Sequence, residues 1–328
     1  CSGGEPIMHA TSAGTHEMMT LQDALDTSWN IPAYWTYQTI LKNGQSVKPY
    51  MSKMGYKVDN YQIESLPLGG GIDPSVVQHT NGYQALLNGG QYEQYYVVDS
   101  IKDSNGKEIY KHQSQPVQVF SKATSSIMAE LLKGPIKSQK TTTFYGQLSN
   151  LNPTLAGADW VGKTGTSNDF VDVWLMVGTP TVTLSSWVGH DNNTPMAAMT
   201  GYNNNSQYLA QMANSIYQAN PGVFGVEQRF SLDPSVTKST VLVSTGEKPG
   251  AFTGGSYTNF TLSGPTTTSY WAKPEGAPTT QYKFAIGGSD SDYANAWTKI
   301  LGNNSGNNSG NNSSNNNDDA DKKKQSGN

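Results

Sequence analysis

The stretch Lys163–Ser167, Lys-Thr-Gly-Thr-Ser, gathers the side chains of this sequence that are best suited to chemistry. One ammonium and three hydroxyls surround a glycine, and the β-branched and aromatic residues before them predict a strand. A glycine inside a strand weakens it, so Gly165 indicates that another backbone or a ligand comes close there. Such a strand suits an anionic, amide-like substrate. A plain strand with a solvated Lys163 explains the motif alone equally well.

A second polar group, Ser28-Trp29-Asn30, lies between two predicted helices. Thr20 is a good N-cap residue with Asp23 three positions later, as in a capping box, and Pro32 fits the first turn of the following helix. The triplet therefore occupies a short connection from which side chains can be aimed at a cleft, although a simple capping turn is the alternative. The apolar residues expected on the buried face of the first helix are Leu21, Ala24 and Leu25.

Taken in this order, the two motifs resemble Ser-x-Asn and Lys-Thr-Gly, the second and third signature motifs of penicillin-binding proteins and class A β-lactamases. From about residue 5 to 301 the sequence resembles the transpeptidase domain of bifunctional class A penicillin-binding proteins, in particular their streptococcal 1b branch. Thr20–Leu25, Ile31–Ala33 and Leu68–Ile72 carry this resemblance. It implies an α+β, serine β-lactamase-like fold, with an antiparallel sheet flanked by helices, an all-α lobe and a small C-terminal β-rich appendage.

The same resemblance implies a D,D-transpeptidase that cross-links peptidoglycan by serine acyl transfer on D-Ala-D-Ala stem peptides. β-Lactams mimic these peptides and would acylate the same serine. Ser28 and Lys163 would relay a proton, and Asn30 would bind an amide carbonyl of the substrate. No cofactor and no metal are implied. Residues implied in substrate or β-lactam binding are Trp29, Thr164, Gly165, Thr166 and Ser167.

One departure from the family is the missing first motif, Ser-x-x-Lys, which carries the nucleophilic serine and precedes Ser-x-Asn. No such motif precedes Ser28. The match at 104–107 contains an Asn-Gly hairpin turn, and the match at 235–238 follows Lys163, in the wrong order. We therefore expect the chain to be a fragment that begins within a fold. The nucleophile, a glycosyltransferase domain and a membrane anchor would belong to a preceding part of the same protein, on the extracytoplasmic face of a Gram-positive membrane.

Composition excludes several other classes of function. The net charge is −4, from 21 basic and 25 acidic residues, so no nucleic-acid-binding footprint is visible. No apolar run is long enough to span a bilayer. Cys1 is the single cysteine, which rules out an internal disulfide, and the five histidines show no metal-ligand spacing.

Two further enzyme classes and a binding module remain as alternatives. A serine β-lactamase or a D,D-carboxypeptidase would need a group that activates a deacylating water, and Glu64 offers none of the expected loop signature. Comparing acylation and deacylation rates would separate these enzymes from a transpeptidase. A non-catalytic β-lactam sensor is disfavoured because Ser28, Asn30 and Lys163 are intact.

Periodicity gives the order of elements that must hold these motifs. A helix is predicted to end at Gly55, another to begin at Asp73-Pro74 with Val77 among its apolar positions, and Asn105-Gly106 to turn a hairpin. Ser121 begins a further helix, which Gly134-Pro135 should end, and the Thr- and Asn-rich residues 138–158 are expected to rim the cleft.

Strands follow at 159–166, 171–178 and 181–189, and their short turns favour an antiparallel meander. A helix at 209–217 closes this unit. We expect a transpeptidase domain over residues 1–230 and a small β-rich domain over 231–301, with β-prone runs at 239–244 and 257–262 and a helix at 293–301. Residues 302–328 form an Asn/Ser/Gly tail that cannot bury a core and should be disordered.

Overall fold

A computed structural model of the chain describes residues 19–198, 200–243, 245–250 and 264–279, all of which belong to one compact unit. Its α-helices are α1 Leu21–Thr27, α2 Asn30–Lys42, α3 Lys48–Lys53, α4 Val76–Leu87, α5 Lys122–Ser138, α6 Phe144–Leu151, α7 Pro153–Ala156 and α8 Ser206–Ala219. Short 3₁₀ segments occupy Leu66–Leu68, Asn168–Phe170 and Pro221–Phe224, and a π-helical turn, Thr200–Asn205, precedes α8.

The strands form small antiparallel sheets, and the predicted α+β fold is confirmed. In chain order they are β1 Gln91–Tyr92, β2 Ser100–Lys102, β3 Glu108–Lys111, β4 Val117–Gln118, β5 Val161–Thr166, β6 Asp172–Gly178, β7 Thr183–Gly189, β8 Thr237–Leu242 and β9 Thr266–Trp271. β5, β6 and β7 make the predicted meander. β1 pairs with β4, β2 with β3, and β8 with β9.

The main core lies against the face of the β5–β7 sheet that presents Leu175 and Val177 of β6. Period-2 alternation sends these residues to one face and Trp174 and Met176 to the other. Helix α8, predicted from its i, i+3, i+4 spacing, closes this core, as expected. Other large side chains of the cluster that are fully buried are Ile136, Phe144, Leu148, Leu155, Leu209 and Phe224.

Helix α5 begins as predicted, because the Ser121 hydroxyl accepts from the Thr124 N–H. The prediction that Gly134-Pro135 ends it is wrong, since α5 continues to Ser138. A proline inside a helix leaves the carbonyl four residues before it without its usual donor. Here the side-chain amide Nε2 of Gln22, in α1, donates to the Leu131 oxygen at 2.9 Å. A tertiary contact thus replaces the missing helical hydrogen bond.

The prediction that residues 138–158 rim the cleft is also wrong. They contain α6 and α7, whose Phe144, Leu148 and Leu155 are fully buried. Phe144 and Leu148 stand at i and i+4 on one helical face, inside a segment that is otherwise rich in Thr and Asn. This segment builds the core under the sheet.

Two predicted details of the helical region need correction. Leu21 is 68% exposed and Val77 is 47% exposed, so neither supplies the buried face expected of it; Ala24 does in α1. The N-cap of α4 is Ser75, whose hydroxyl accepts from the Gln78 N–H. Helices α3 and α4 enclose a second, smaller cluster of Met54, Tyr56, Ala85, Tyr92 and Val119.

In the C-terminal region, residues 239–242 of the run predicted at 239–244 lie in β8, which pairs with β9. The run at 257–262, the helix at 293–301 and the tail at 302–328 lie outside the described residues. The domain boundaries at 230 and 301 stay predictions. Within the described ranges, no helix is both long enough and apolar enough to cross a membrane.

Candidate active site

The two polar motifs meet at a hydrogen bond between Lys163 and Ser28. The Lys163 Nζ donates to the Ser28 Oγ at 2.6 Å and to the Thr164 carbonyl oxygen at 2.9 Å. Although 135 positions separate the two residues, their expected proximity is confirmed. A lysine and a serine hydroxyl at this distance can exchange a proton directly.

Helix α5 positions this pair by packing between α1 and β5. A Cβ at Gly134 of α5 would overlap the Gln22 and Asp26 side chains of α1, so the glycine admits α1 at close range. A Cβ at Gly162 of β5 would lie 2.7 Å from the Cδ1 of Ile136 in α5. These two glycines therefore set the distance from the end of α1 to β5, and with it the distance from Ser28 to Lys163.

Ser28 itself adopts a strained backbone conformation. It caps the C-terminus of α1 with φ 57° and ψ 43°, in the left-handed region that non-glycine residues rarely occupy. The backbone N–H of Trp29 closes the turn on the Ala24 carbonyl oxygen. Strain of this kind is concentrated at functional sites, where the surroundings impose it. The left-handed turn directs the chain from α1 into α2.

Burial lowers the pKa of Lys163 from its usual 10.5 to about 8. The cause is desolvation, which disfavours the charged ammonium. The Nζ of Lys163 thus holds its proton less tightly than an ordinary lysine does. Near neutral pH its protonated and neutral forms are closer in population, so the group can both donate and accept a proton. That property suits general acid–base chemistry.

A cavity of about 610 Å³ opens beside Lys163. One wall is the face of the sheet that presents Lys163, Gly165 and Trp174, and the other is formed by the segment 68–76 with α4. Gly165 pairs with Trp174 across the strands, and a Cβ there would lie 3.3 Å from the Trp174 Cβ. The mid-strand glycine therefore accommodates a tryptophan as well as leaving space in the cavity.

The predicted site residues divide into two groups. The substrate-binding candidates of β5 and its end, Thr164, Gly165, Thr166 and Ser167, all line the cavity with Lys163. Within the described part of the chain, the lining does not include Ser28, Trp29 and Asn30. Ser28 reaches the site through Lys163, while Asn30 begins α2 and Trp29 is its N-cap residue.

The cavity wall on α4 carries two polar residues that sequence reasoning missed as site residues. His79 lies edge-on to Trp174, with 5.1 Å between ring centroids, and its Nδ1 is 2.8 Å from the Tyr56 hydroxyl. Burial lowers the pKa of His79 and raises that of Tyr56, so both are neutral near pH 7. The Tyr83 hydroxyl, one helical turn further, is buried and has no hydrogen-bond partner among the described residues. The i, i+4 spacing of His79 and Tyr83 was the available signal.

Two more missed residues, one on β6 and one on β7, lie beside the end of β5. Asp172 and Trp187 line the cavity with Ser167, and the Asp172 carboxylate bonds to both. The alternation of Asp172, Trp174 and Met176 along β6 was the signal that these side chains share one face. Glu64, in contrast, is exposed, accepts from the Tyr34 hydroxyl and is not part of the described lining.

The comparison with protein families decides the identity of this fold. The family described as "Penicillin binding protein transpeptidase domain" matches residues 5–220. The chain belongs to this family. Its members are serine acyltransferases, and the Lys163–Ser28 pair lies within the matched range.

Curated relatives agree with this assignment. Over 186 residues the chain is 31% identical to penicillin-binding protein 4 of Bacillus subtilis, a match that covers 55% of this chain and 28% of that protein. It is 29% identical to penicillin-binding protein 1F of the same organism over 178 residues, 53% of the chain and 23% of that protein. The matches thus span about a quarter of the length of these relatives.

Solved structures share the fold. Penicillin-binding protein 1A of Haemophilus influenzae aligns with a TM-score of 0.57 and 18% identity, over 81% of this chain and 41% of that one. Penicillin-binding protein A of Mycobacterium tuberculosis, in an acyl-enzyme complex, aligns with a TM-score of 0.51 and 14% identity, over 67% and 53% of the two chains. At these identities the likeness concerns the fold alone.

Proposed function

We propose that this domain is the acyl-transfer part of a peptidoglycan D,D-transpeptidase that acts on D-Ala-D-Ala stem peptides and is acylated by β-lactams. The observation that carries the proposal is the 2.6 Å hydrogen bond from Lys163 to Ser28, next to a cavity lined by the hydroxyl-rich end of β5. A chain of two proton carriers beside a ligand-sized cavity is what acyl transfer to and from an amine requires.

In the proposed reaction, a serine oxygen attacks the penultimate D-alanine carbonyl while a base takes the serine proton. The amide C–N bond breaks, and the leaving D-alanine amine receives a proton through Ser28 and Lys163. An acceptor amine then attacks the resulting ester, which restores the serine hydroxyl. Thr164 and Thr166 would bind the substrate carboxylate, Asn30 would bind an amide carbonyl, and the Thr166 N–H would donate to the oxyanion.

We further propose that the nucleophile comes from a Ser-x-x-Lys segment outside residues 1–328, since no such motif precedes Ser28. The cavity beside Lys163 has room for its serine to approach, and the unpartnered Tyr83 hydroxyl offers a polar contact there. A class A bifunctional protein of the streptococcal 1b type, with a glycosyltransferase domain and an anchor on the outer face of a Gram-positive membrane, would supply that segment. Resemblance of the flanking motifs supports this finer assignment.

The decisive experiment is labelling with fluorescent penicillin, followed by denaturing electrophoresis and peptide mapping. We expect no covalent adduct on the chain alone, and labelling of a serine on the added segment when a polypeptide carrying the upstream Ser-x-x-Lys region is supplied. A labelled serine within residues 1–328 would contradict the proposed source of the nucleophile. Absence of labelling in both preparations would contradict the proposed function.

A rate comparison then separates the transpeptidase from a β-lactamase or carboxypeptidase. A transpeptidase should acylate quickly and release the penicilloyl group slowly, because water is a poor substitute for its acceptor amine. The exposed position of Glu64, bonded to Tyr34, supports slow deacylation. Turnover of penicillin in seconds would favour the β-lactamase instead.

A further inference from the structure

The hairpin that joins β5 to β6 is closed by side chains where a regular hairpin would use its backbone. The Ser167 N–H donates to the Asp172 carbonyl oxygen at 3.0 Å, as in an antiparallel pair. The returning bond is different, because the Asp172 N–H donates at 2.7 Å to the Ser167 hydroxyl. The Ser167 carbonyl oxygen instead accepts from the Phe170 N–H within the turn.

The Asp172 carboxylate then ties this hairpin to the next strand. Its Oδ2 accepts from the Ser167 hydroxyl at 3.1 Å, and its Oδ1 accepts from the Trp187 Nε1 of β7 at 3.0 Å. The Ser167 hydroxyl is therefore engaged both as acceptor and as donor. We define Ser167, Asp172 and Trp187 as the hairpin clamp, and all three line the cavity together with Lys163.

The turn that the clamp closes is strained. Asp169 and Phe170 have φ angles of 55° and 56°, two consecutive non-glycine residues in the left-handed region. Residues in such conformations persist only when their surroundings impose them. Gly189 supports the clamp from β7, since a Cβ there would overlap the Trp187 ring and lie 2.9 Å from the Val171 carbonyl oxygen.

We propose that Asp172 is a positioning residue for the cavity end of β5, acting through Ser167 and Trp187. By holding both residues, its carboxylate fixes where the strand bearing Lys163, Thr164 and Thr166 ends. Ser167 then serves the site by positioning that strand, in place of the direct substrate contact expected from the sequence. This inference rests on the proposed acyl-transfer function. The ligand bound at the end of β5 would be the acyl donor, through its carboxylate.

The test compares clamp variants by their reaction with fluorescent penicillin, in the preparation that supplies the Ser-x-x-Lys segment. Because a small misplacement of binding groups slows a reaction strongly, Asp172→Ala should lower the second-order rate constant of acylation about 10- to 100-fold. Asp172→Asn keeps one accepting oxygen and should lose about threefold, since a single hydrogen bond is affected. Ser167→Ala should lower the acylation rate as much as Asp172→Ala does. Ser167→Thr retains the hydroxyl and should react at the rate of the parent chain.

Whether the clamp variants affect penicillin binding or the acylation step distinguishes a positioning role from a general loosening of the fold. The clamp holds binding groups, whereas the Lys163–Ser28 pair carries protons, so the loss should appear in the dissociation constant for penicillin and leave the limiting acylation rate unchanged. Equal losses in both quantities would overturn the proposal. So would additive effects of Ser167→Ala and Asp172→Ala, since residues acting through one contact must be non-additive.

Asp103 offers a matched control, because its carboxylate also closes a hairpin turn, between β2 and β3, and it is not part of the described cavity lining. Asp103→Asn and Asp103→Ala should leave the rate within about twofold of the parent, as surface changes remote from a site generally do. An Asp103 effect as large as that of Asp172 would overturn the proposal, since it would show that closing any hairpin has this effect.

A spectroscopic arm separates failure of this inference from failure of the proposed function. In amide and indole NMR spectra of the chain itself, Asp172→Asn should shift the Trp187 Nε1–H and Thr166 N–H signals, and Asp103→Asn should shift neither. If no preparation reacts with penicillin, the acyl-transfer function fails, and the ligand assigned to the clamp fails with it. If the parent reacts but Asp172→Asn moves neither signal, the clamp alone is overturned.

Discussion

Two hairpins of this domain are closed in different ways. In the β2–β3 hairpin, the Asp103 Oδ1 accepts from the N–H groups of Asn105 and Lys107, each at 2.9 Å, and a glycine, Gly106, takes the positive φ of 80°. Its strands are exposed throughout. In the β5–β6 hairpin, positive φ angles fall on Asp169 and Phe170, and the closing side chains line a cavity.

The difference shows where local sequence rules are sufficient to predict a turn and where they are not. The β2–β3 turn places a glycine, Gly106, where the backbone needs a left-handed conformation, so the turn could be predicted from the Asn-Gly pair. The β5–β6 turn places an aspartate and a phenylalanine there, at a cost that must be met by tertiary contacts. Those contacts come from the clamp, which also delimits the candidate site. We therefore expect changes in the two hairpins to have different consequences.

The largest difference should come from lysines on the strands that lead into the two turns. Lys163→Ala should lower the second-order rate of penicillin acylation about 10²- to 10⁴-fold, the usual contribution of one acid–base group. Lys102→Ala, on the exposed β2, is the matched control and should leave the rate unchanged. Stopped-flow measurement with fluorescent penicillin, in the preparation that supplies the Ser-x-x-Lys segment, provides both rates. Similar losses in the two variants would refute the assignment of Lys163.

An intermediate effect concerns pH and the buried ammonium. Lys163 releases its proton near pH 8 in the folded chain but near 10.5 in the unfolded chain, so between these values the unfolded state binds more protons. The free energy of unfolding must therefore rise with pH through this window. At 1.36 kcal/mol per pKa unit, discounted for partial exposure, the gain from pH 7.5 to 9.5 should be about 1–2 kcal/mol.

Urea unfolding at the two pH values tests this expectation. Lys163→Met should remove the gain, whereas Lys102→Met should retain it, because other titrating groups are common to all three chains. A parallel pH dependence in the parent and in Lys163→Met would contradict the lowered pKa of Lys163.

The smallest expected effect is on the free energy of unfolding. Substitutions at the left-handed positions of the two turns should change it in opposite directions. Asp169→Gly relieves a left-handed aspartate and should raise the free energy of unfolding by about 1 kcal/mol. Gly106→Ala forces a Cβ into the same region and should lower it by about 1 kcal/mol, although no atom within 4 Å opposes the new methyl group. Thermal and urea unfolding give both values. Destabilisation by Asp169→Gly would mean that the turn is not strained.

Much of the framework could be predicted from local signals. Capping residues located the starts of α1 and α5, and the short turns between the predicted strands indicated the antiparallel meander of β5, β6 and β7. The Lys163–Ser28 contact was predicted from the family's motif order. Where prediction was wrong, a partner distant in sequence decided the outcome, as with Pro135, whose helix continues because Gln22 bonds the Leu131 carbonyl.

The clamp was missed for a similar reason. The family resemblance implies Ser167 as a substrate ligand, and nothing in the Lys163–Ser167 motif indicates that Asp172 engages its hydroxyl. The polar wall of α4 was missed because His79 and Tyr83 follow a helical spacing that is equally typical of core residues. Both depend on which face of an element meets the cavity, a property of the assembled fold.

The 135-residue separation between Ser28 and Lys163 has a consequence for how the domain assembles this pair. The loop-closure entropy of the chain between them opposes a contact between residues so far apart. The hydrogen bond between Ser28, at the C-terminus of α1, and Lys163 of β5 depends on α5, which packs against both elements. A partly folded or newly synthesised chain therefore holds a lysine of ordinary basicity and an unpaired serine. The lowered pKa of Lys163 is therefore a property of the fully folded chain.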